Sequence, residues 1–474
     1  MLPFSAIFVI IVIICIIVFV FNREFKVKKK VTDFPIKFPD DKNKAESFDR
    51  EWYDVAIVGA GPGGATTAFF LAKLGWKCLL LEKKKFPRDK YCGDAVCKTA
   101  IEILMEMGIY EKLIRENKAH VSDSGGMCSP NGLSYVGRSK DGYGEVPAAL
   151  ACKRILLDEA IAMAAKRMGA HLKEEQPVSE AVFEKDTNLW KINIEDNFNS
   201  YKARVLVCAD GAPSRLATQL GIVTRPPDSS CSRAYVEGGT HKFKADGVVF
   251  YNKDLLPGYA ALFRHPNDVL NYCCYIIPGN PKCTPDDLTY WHDHLMNKDP
   301  NISRALGNDF KIERMKAASL RLGGEKCSYD KHCIVVGDAA GMIDPLTGEG
   351  IHHAMEGGKL AAYFLDEVIS HGNYDKEVMS IFHERWMDQF GYDFKWSMIF
   401  CQLLYRFPIL LDAATAAVQR RGDKMLLKWA DIMTGRKPKI TMLHPEFSVI
   451  ITIELIRLII KKILGQPIAK RKEE

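Results

Sequence analysis

The stretch from Tyr53 to Glu82 constrains this chain more than any other. Tyr53-Asp54-Val55-Ala56-Ile57-Val58 is an apolar strand-like run, followed at once by Gly59-Ala60-Gly61-Pro62-Gly63-Gly64 and a helical run from Ala65 to Leu74. Gly59, Gly61 and Gly64 fall at the first, third and sixth positions of G-x-G-x-x-G. The first permits a tight turn, the second lets a pyrophosphate approach the backbone, and the third allows close packing of helix on strand. With Gly63 they open a helix whose unpaired N–H groups face the phosphates. A second strand, Lys77 to Leu81, ends in Glu82, 18 residues after Gly64, where an acid accepts hydrogen bonds from a ribose 2′-hydroxyl. Glycines alone are a weak signal, but strand, turn, helix, strand and acid in one unit predict a dinucleotide-binding fold. The acid disfavours a 2′-phosphate and leaves FAD or NAD.

The far end of the chain separates these two. Cys333-Ile334-Val335-Val336-Gly337-Asp338 is a strand ending in an acid, and Pro345, Gly348, Glu349 and Gly350 lead into a helix starting near Ile351. That order suits a second contact to the same ligand. Asp338 would hold a ribityl hydroxyl, and N–H groups at the helix start would face the N1–C2 carbonyl region of a flavin, where they stabilise a reduced, anionic ring. Only one G-x-G-x-x-G is present, so no second Rossmann unit is expected for a resident nicotinamide nucleotide. FAD is therefore the expected cofactor, with NADPH or another reductant as electron donor.

The chain has 474 residues, 47% hydrophobic and 26% charged. These proportions exclude a largely disordered, collagen-like or many-span membrane protein. The expected class is α/β, an α+β composite. Its parts are a transmembrane anchor at 1–22, a basic linker at 23–50, a Rossmann-like FAD region with inserted substrate-domain strands at 51–225, a substrate-binding mixed sheet at 226–325, a second FAD segment at 326–372 and a helical, membrane-proximal region at 373–474. From Leu2 to Phe21 the sequence is apolar except for Pro3 and Ser5, long enough to cross a hydrocarbon core of about 30 Å. Arg23, Lys26, Lys28, Lys29 and Lys30 follow, which predicts a body facing the cytosol. The basic residues gather near both ends, as a partner with an anionic membrane face requires, and nucleic acid is not expected. Phe447 to Leu464 is rich in Ile and Leu but carries Glu454, Arg457, Lys461 and Lys462; a helix lying in a membrane surface and a core helix both fit. The last residues, Lys470 to Glu474, resemble a dilysine retrieval signal, so the endoplasmic reticulum is the expected location. The 14 cysteines lack paired spacings and read as reduced. Oligomeric state is not legible.

Three segments together resemble the flavoprotein superfamily whose fold is named for para-hydroxybenzoate hydroxylase: Gly59 to Glu82, Val205-Leu206-Val207-Cys208-Ala209-Asp210-Gly211-Ala212-Pro213, and Gly337 to Gly350. Cys152-Lys153-Arg154-Ile155-Leu156-Leu157-Asp158 is similar to the superfamily's segment with an Arg near the FAD. Within it, Phe86-Pro87-Arg88-Asp89-Lys90-Tyr91-Cys92-Gly93-Asp94 is similar to a stretch of the geranylgeranyl reductases, which saturate isoprenoid double bonds. Pro257-Gly258-Tyr259-Ala260-Ala261-Leu262-Phe263 resembles that family's prenyl-site segment, although Ala261 stands where Trp is usual and Arg264 where Pro is usual.

The resemblance implies FAD contacts from Lys83, Arg88, Cys92, Gly93, Arg154, Asp210, Gly348, Gly350 and Ile351 besides Glu82 and Asp338, and a prenyl wall at Tyr259 and Phe263. It also places Cys92 beside the isoalloxazine as the candidate catalytic residue, where a buried Cys is otherwise an inert hydrophobe. His352 and His353 read as helix-face residues, since neither has a partner identifiable in the sequence. The function implied is an FAD-dependent reductase of a geranylgeranyl-type lipid. The alternative is an FAD-dependent monooxygenase of a lipophilic substrate, with a lipid-binding module that retains FAD as a third reading.

Overall fold

Val55, Ala56 and Ile57 are wholly buried, and a strand covered on both faces belongs at the centre of a parallel sheet. In the computed structural model, which describes residues 51–91, 93–138, 146–195, 199–238 and 243–468, that is where strand Tyr53–Val58 lies. It pairs in parallel with Ser200–Cys208 on one side and Cys78–Leu81 on the other. Cys333–Val335 and His171–Lys173 extend the parallel sheet at its two sides. An antiparallel hairpin, Val178–Glu184 and Leu189–Ile194, pairs onto Ser200–Cys208. The expected anchor and linker, Cys92 and the tail from Lys470 lie outside the described residues.

Helix Pro62–Lys73 packs against helix Ile351–His371 at glycine contacts. A Cβ on Gly358 would lie 2.4 Å from the Gly63 carbonyl oxygen, and one on Gly63 would lie 3.3 Å from the Ala354 carbonyl oxygen. Only glycines let two backbones come this close. Gly63 and Ala354 each lie in the first turn of their helix, so the two helix N-termini lie side by side.

A second sheet runs Lys311–Ile312, Ser229–Glu237, Leu270–Ile276, Tyr259–Arg264, Gly247–Phe250, Ser124–Cys128 and Ser134–Arg138, with Lys316–Leu320 also on Ser229–Glu237. Two of its strands come from early in the chain, and Ser124–Cys128 joins Gly247–Phe250 in parallel. Period-two alternation sorts its faces. Leu270, Tyr272, Cys274 and Ile276 pack with Ala260 and Leu262 against Trp291, Leu295 and Ile302 of helices Leu288–Lys298 and Pro300–Leu306. Cys273, Tyr275, Tyr259 and Phe263 take the opposite face. There the helices after residue 408 close over the sheet, and Trp429, Ile432, Phe447 and Ile450 share a cluster with Tyr275 and Leu346. A small sheet of Ala95–Cys97, Ala149–Cys152 and Ala119–Ser122 completes the body.

Among the described residues no single helix is long and apolar enough to cross a membrane. Helix Pro445–Ile463 buries one face and exposes the other. Phe447, Ile450, Leu455 and Leu458 are buried, while Val449, Ile453, Ile456 and Ile460 are exposed.

Candidate flavin site and its adjoining cavity

The turn after the first strand is shaped by its glycines. Gly59 has φ +105°, and a Cβ there would meet the Ala209 carbonyl oxygen at 2.3 Å, so the Ala209–Asp210 backbone is pressed against the turn. Gly64 is closed in by the Gly59 carbonyl oxygen, whereas a Cβ on Gly61 would have nothing within 4 Å. Gly61 therefore faces open space at the start of helix Pro62–Lys73, which has no side-chain cap and no acid in its first turn. Helix Ile351–His371 begins at Gly350, likewise without a side-chain cap or an acid in its first turn. Two uncapped helix ends with unpaired N–H groups make a basin for anionic or electron-rich ligand atoms.

Charged side chains from distant parts of the chain surround this basin. Glu82 accepts from the Ala60 and Lys84 amides at 3.2 and 3.1 Å and pairs with Arg88 at 3.0 Å. Arg88 also binds Asp158 at 2.7 Å, and Asp158 holds Arg154 through two bonds of 2.7 and 3.0 Å. Lys90 pairs with Asp338. Burial opposes ionisation of Asp158 and Asp338, yet the neighbouring cations hold both carboxyls below their ordinary range. Asp89 reaches Arg233 at 2.8 Å and Lys316 at 3.1 Å, and Asp94 accepts from Asn271 at 2.7 Å. Arg88, Asp89, Lys90 and Asp94 thus fasten the segment around Cys92 to both sheets.

Other expected contacts sit differently. The Asp210 carboxylate binds Ser214 Oγ at 2.5 Å and the Leu216 amide at 3.0 Å, so its side chain caps a short helix while its backbone abuts Gly59. Lys83 is exposed beside Glu82.

A cavity of about 310 Å³ adjoins the second helix end. Gly93, Gly348, Gly350 and Ile351 line it together with Tyr251, Tyr259, Phe263, Tyr275, Leu426 and Trp429. The structure therefore brings Tyr259 and Phe263 to the same space as the Gly-rich turn. The Tyr259 hydroxyl donates to the Thr347 carbonyl of that turn.

Glu349 also lines this space, with 24% of its side chain accessible. Cys97 Sγ donates to Glu349 Oε2 at 2.8 Å, and His352 Nδ1 lies 3.4 Å from the same sulfur and 3.5 Å from the same oxygen. Burial raises the Glu349 pKa to about 7, against the opposing effects of the Cys97 hydrogen bond and of Lys439. Burial also keeps His352 and His353 neutral, pulling His353 down to about 4. Their rings lie 3.7 Å apart, and both are buried. Both histidines lie in the first turn of their helix, which is enclosed, and His352 faces Cys97. Lys439 is buried behind the turn, paired with Asp344 at 2.9 Å and Asp393 at 3.4 Å.

Residues 52–379 match a family described as FAD binding domain. The chain belongs to that family. Conditioned medium factor receptor 1 of Dictyostelium discoideum is 51% identical over 420 residues, covering 86% of this chain and 82% of its own. A digeranylgeranylglycerophospholipid reductase of Methanococcus vannielii is 29% identical over 350 residues, covering 72% of this chain and 83% of its own. The crystal structure of a geranylgeranyl bacteriochlorophyll reductase-like protein from Thermoplasma acidophilum has the same fold, with a TM-score of 0.68 at 20% identity over 85% of this chain and 99% of that one. This flavoprotein is an FAD-dependent oxidoreductase related to the geranylgeranyl reductases.

The residues present fit FAD. The open space at Gly61 would take a pyrophosphate at one helix end, Glu82 stands beside that turn, and Asp338 and Gly350 border the second helix end. Sequence reasoning missed Cys97 and Glu349 as site residues. Glu349 lay in plain view between Gly348 and Gly350, but its thiol partner is 252 positions away and no local spacing announces the pair.

Proposed function

We propose that this flavoprotein saturates carbon–carbon double bonds of a polyprenyl, geranylgeranyl-type lipid. The observation that carries the reading is the apolar cavity beside the flavin basin, with a partly buried carboxyl on its wall whose pKa is raised to about 7. Reduced FAD supplies the hydride that such a hydrogenation needs. The chain supplies the rest. Tyr251, Tyr259, Phe263 and Trp429 exclude water and align an extended hydrocarbon. Glu349 holds a proton on Oε1, the carboxyl oxygen that Cys97 does not bond, and delivers it to the alkene carbon that does not receive hydride. The relatives named as reductases of geranylgeranyl lipids support the substrate class. The relative named as a receptor shares the chain over most of its length, and that name is a statement about that protein.

The test is mass spectrometry of a geranylgeranylated lipid incubated with the purified, dithionite-reduced protein without oxygen. Each saturated bond adds about two mass units, as hydrogenation requires. An unchanged lipid that gains about sixteen units only with air and NADPH would make the protein a monooxygenase. Repeating the reductase assay with NADPH in place of dithionite shows whether a nicotinamide serves as donor.

A further inference from the structure

We infer that the outer face of helix Pro445–Ile463 docks on an anionic lipid bilayer and thereby sets the cavity beside the membrane. Val449, Ile453, Ile456, Ile460 and Ile463 are spaced four, three, four and three residues apart, which aligns them on one face of the helix. With Leu464 they are 41% to 68% accessible. A row of branched apolar side chains in water is the signature of an interaction surface.

The charges on the helix choose the partner. Its two acids are already engaged, Glu446 by Lys428 and Glu454 by Arg420 and Arg457 at 2.8 and 3.0 Å. Lys461 and Lys462 make no ion pair among the described residues, and the sequence continues to Lys470, Arg471 and Lys472. An apolar row with a cationic end matches hydrocarbon below and lipid phosphate or serine carboxylate above, with the lysine stems reaching up to the headgroups. The same helix carries too many charges to span. Its inner face is the link to the site, since Phe447 and Ile450 pack in one cluster with Trp429 and Tyr275 of the cavity wall. Docking would therefore place the cavity within reach of a lipid without moving the flavin basin. This holds whether or not the flavoprotein reduces prenyl chains.

Carbene footprinting with a water-soluble diazirine tests it on the full chain, made by cell-free synthesis without detergent. Labelling of residues 449–464 is compared without lipid, with phosphatidylcholine vesicles, and with vesicles containing about 30% phosphatidylserine. We expect labelling to fall several-fold on the anionic vesicles, and exposed Val182 in the distant hairpin to stay labelled. The double variant Ile456→Glu with Ile460→Glu should lose this protection while its flavin spectrum, the measure of an intact fold, is unchanged. Unchanged labelling on vesicles that nevertheless carry the protein would overturn the inference, because the N-terminal apolar run alone would then hold it. Low labelling without lipid that rises on dilution would assign the face to a second copy. Equal protection on both vesicle types would overturn the anionic-lipid assignment.

Discussion

The flavin basin and the cavity beside it settle their charges in opposite ways. In the basin each acid among Glu82, Asp158 and Asp338 has a cation against it, from Arg88, Arg154 or Lys90. In the cavity Glu349 has a thiol on Oε2 and a neutral imidazole nearby. Glu349 is no more enclosed than the basin acids, and what it lacks among the described residues is a Lys or Arg in ion-pair contact. Asp158 and Asp338, held as anions by their cations, fix geometry, whereas Glu349, with no cation in contact, keeps a proton near neutral pH and has something to give.

Gly64→Val should break the basin outright. Its Cβ would lie 2.0 Å from the Gly59 carbonyl oxygen and 2.9 Å from Ala209 Cβ, and backbone cannot yield there as a flexible side chain does. We expect a loss of about 5 kcal/mol or more, seen as failure to accumulate or a large drop in Tm. Gly61→Val is the companion, with open space where the new side chain goes. It should fold normally by circular dichroism and come out colourless. Yellow, stable Gly61→Val protein would show that the phosphates do not sit at this turn.

Asp158→Ala ranks next, because it removes the carboxylate that holds Arg154 through two bonds and leaves Glu82 as the ion-pair partner of Arg88 among the described residues. Removing one member of a buried ion cluster costs about 3–5 kcal/mol, measurable as a shift of the urea midpoint at constant slope. The pH dependence has a fixed sign. Asp158 titrates lower in the folded chain than in the unfolded one, so its contribution is complete above the ordinary carboxylate range and is lost as acid protonates it. The variant should lose that acid-side slope.

Glu349→Gln sharpens the contrast most. The amide keeps the shape and cannot supply the proton, so turnover should fall about 10²- to 10³-fold while flavin binding is retained. In the unchanged protein the rate should decline as pH rises through about 7, where Glu349 loses its proton, and the variant's residual rate should be flat there. Stability changes in the same direction. Between 4.5 and about 7 the folded state holds a proton that the unfolded state has released, so stability declines as pH rises through that window. A Glu349→Gln protein with undiminished turnover would move the proton source elsewhere on the cavity wall.

What the sequence made legible follows from range. Gly59 to Glu82 announces itself because strand, turn, helix and acid are contiguous, and the helix expected near Ile351 begins at that residue because Gly350 ends the turn before it. Tyr259 and Phe263 are placed on one wall by the resemblance of Pro257 to Phe263 to a prenyl-site segment, and their spacing of four puts both on one face of strand Tyr259–Arg264. Cys97 meets Glu349 across 252 positions, and Lys90 meets Asp338 across 248, so neither pairing leaves a local trace. Ser124–Cys128 reaches the second sheet through a parallel pairing with Gly247–Phe250 that no hairpin signal marks. The inserted strands were expected as a class, but their partners could be found only in three dimensions. His352 and His353 show the same limit. Their enclosure depends on Cys97 on one side and on Phe390 and Phe394 on the other, elements that their own helix does not specify.

Tyr259→Phe makes the smallest expected change and separates shape from tethering on the cavity wall. The ring stays, so the apolar face presented to a hydrocarbon is preserved, and only the hydroxyl that donates to the Thr347 carbonyl is lost. One such bond contributes about 1 kcal/mol net, within reach of a careful melting comparison. Because Thr347 is two residues before Glu349, any functional effect should act through the turn: a few-fold fall in kcat with KM nearly unchanged. Phe263→Ala should do the reverse, since that ring has no polar tether and lies on the same wall. It should raise KM for a long prenyl chain and leave kcat closer to its original value. If the two variants shifted the same constant, Tyr259 would be acting as another apolar surface, and the hydroxyl would have no separate part in holding Glu349 at the cavity.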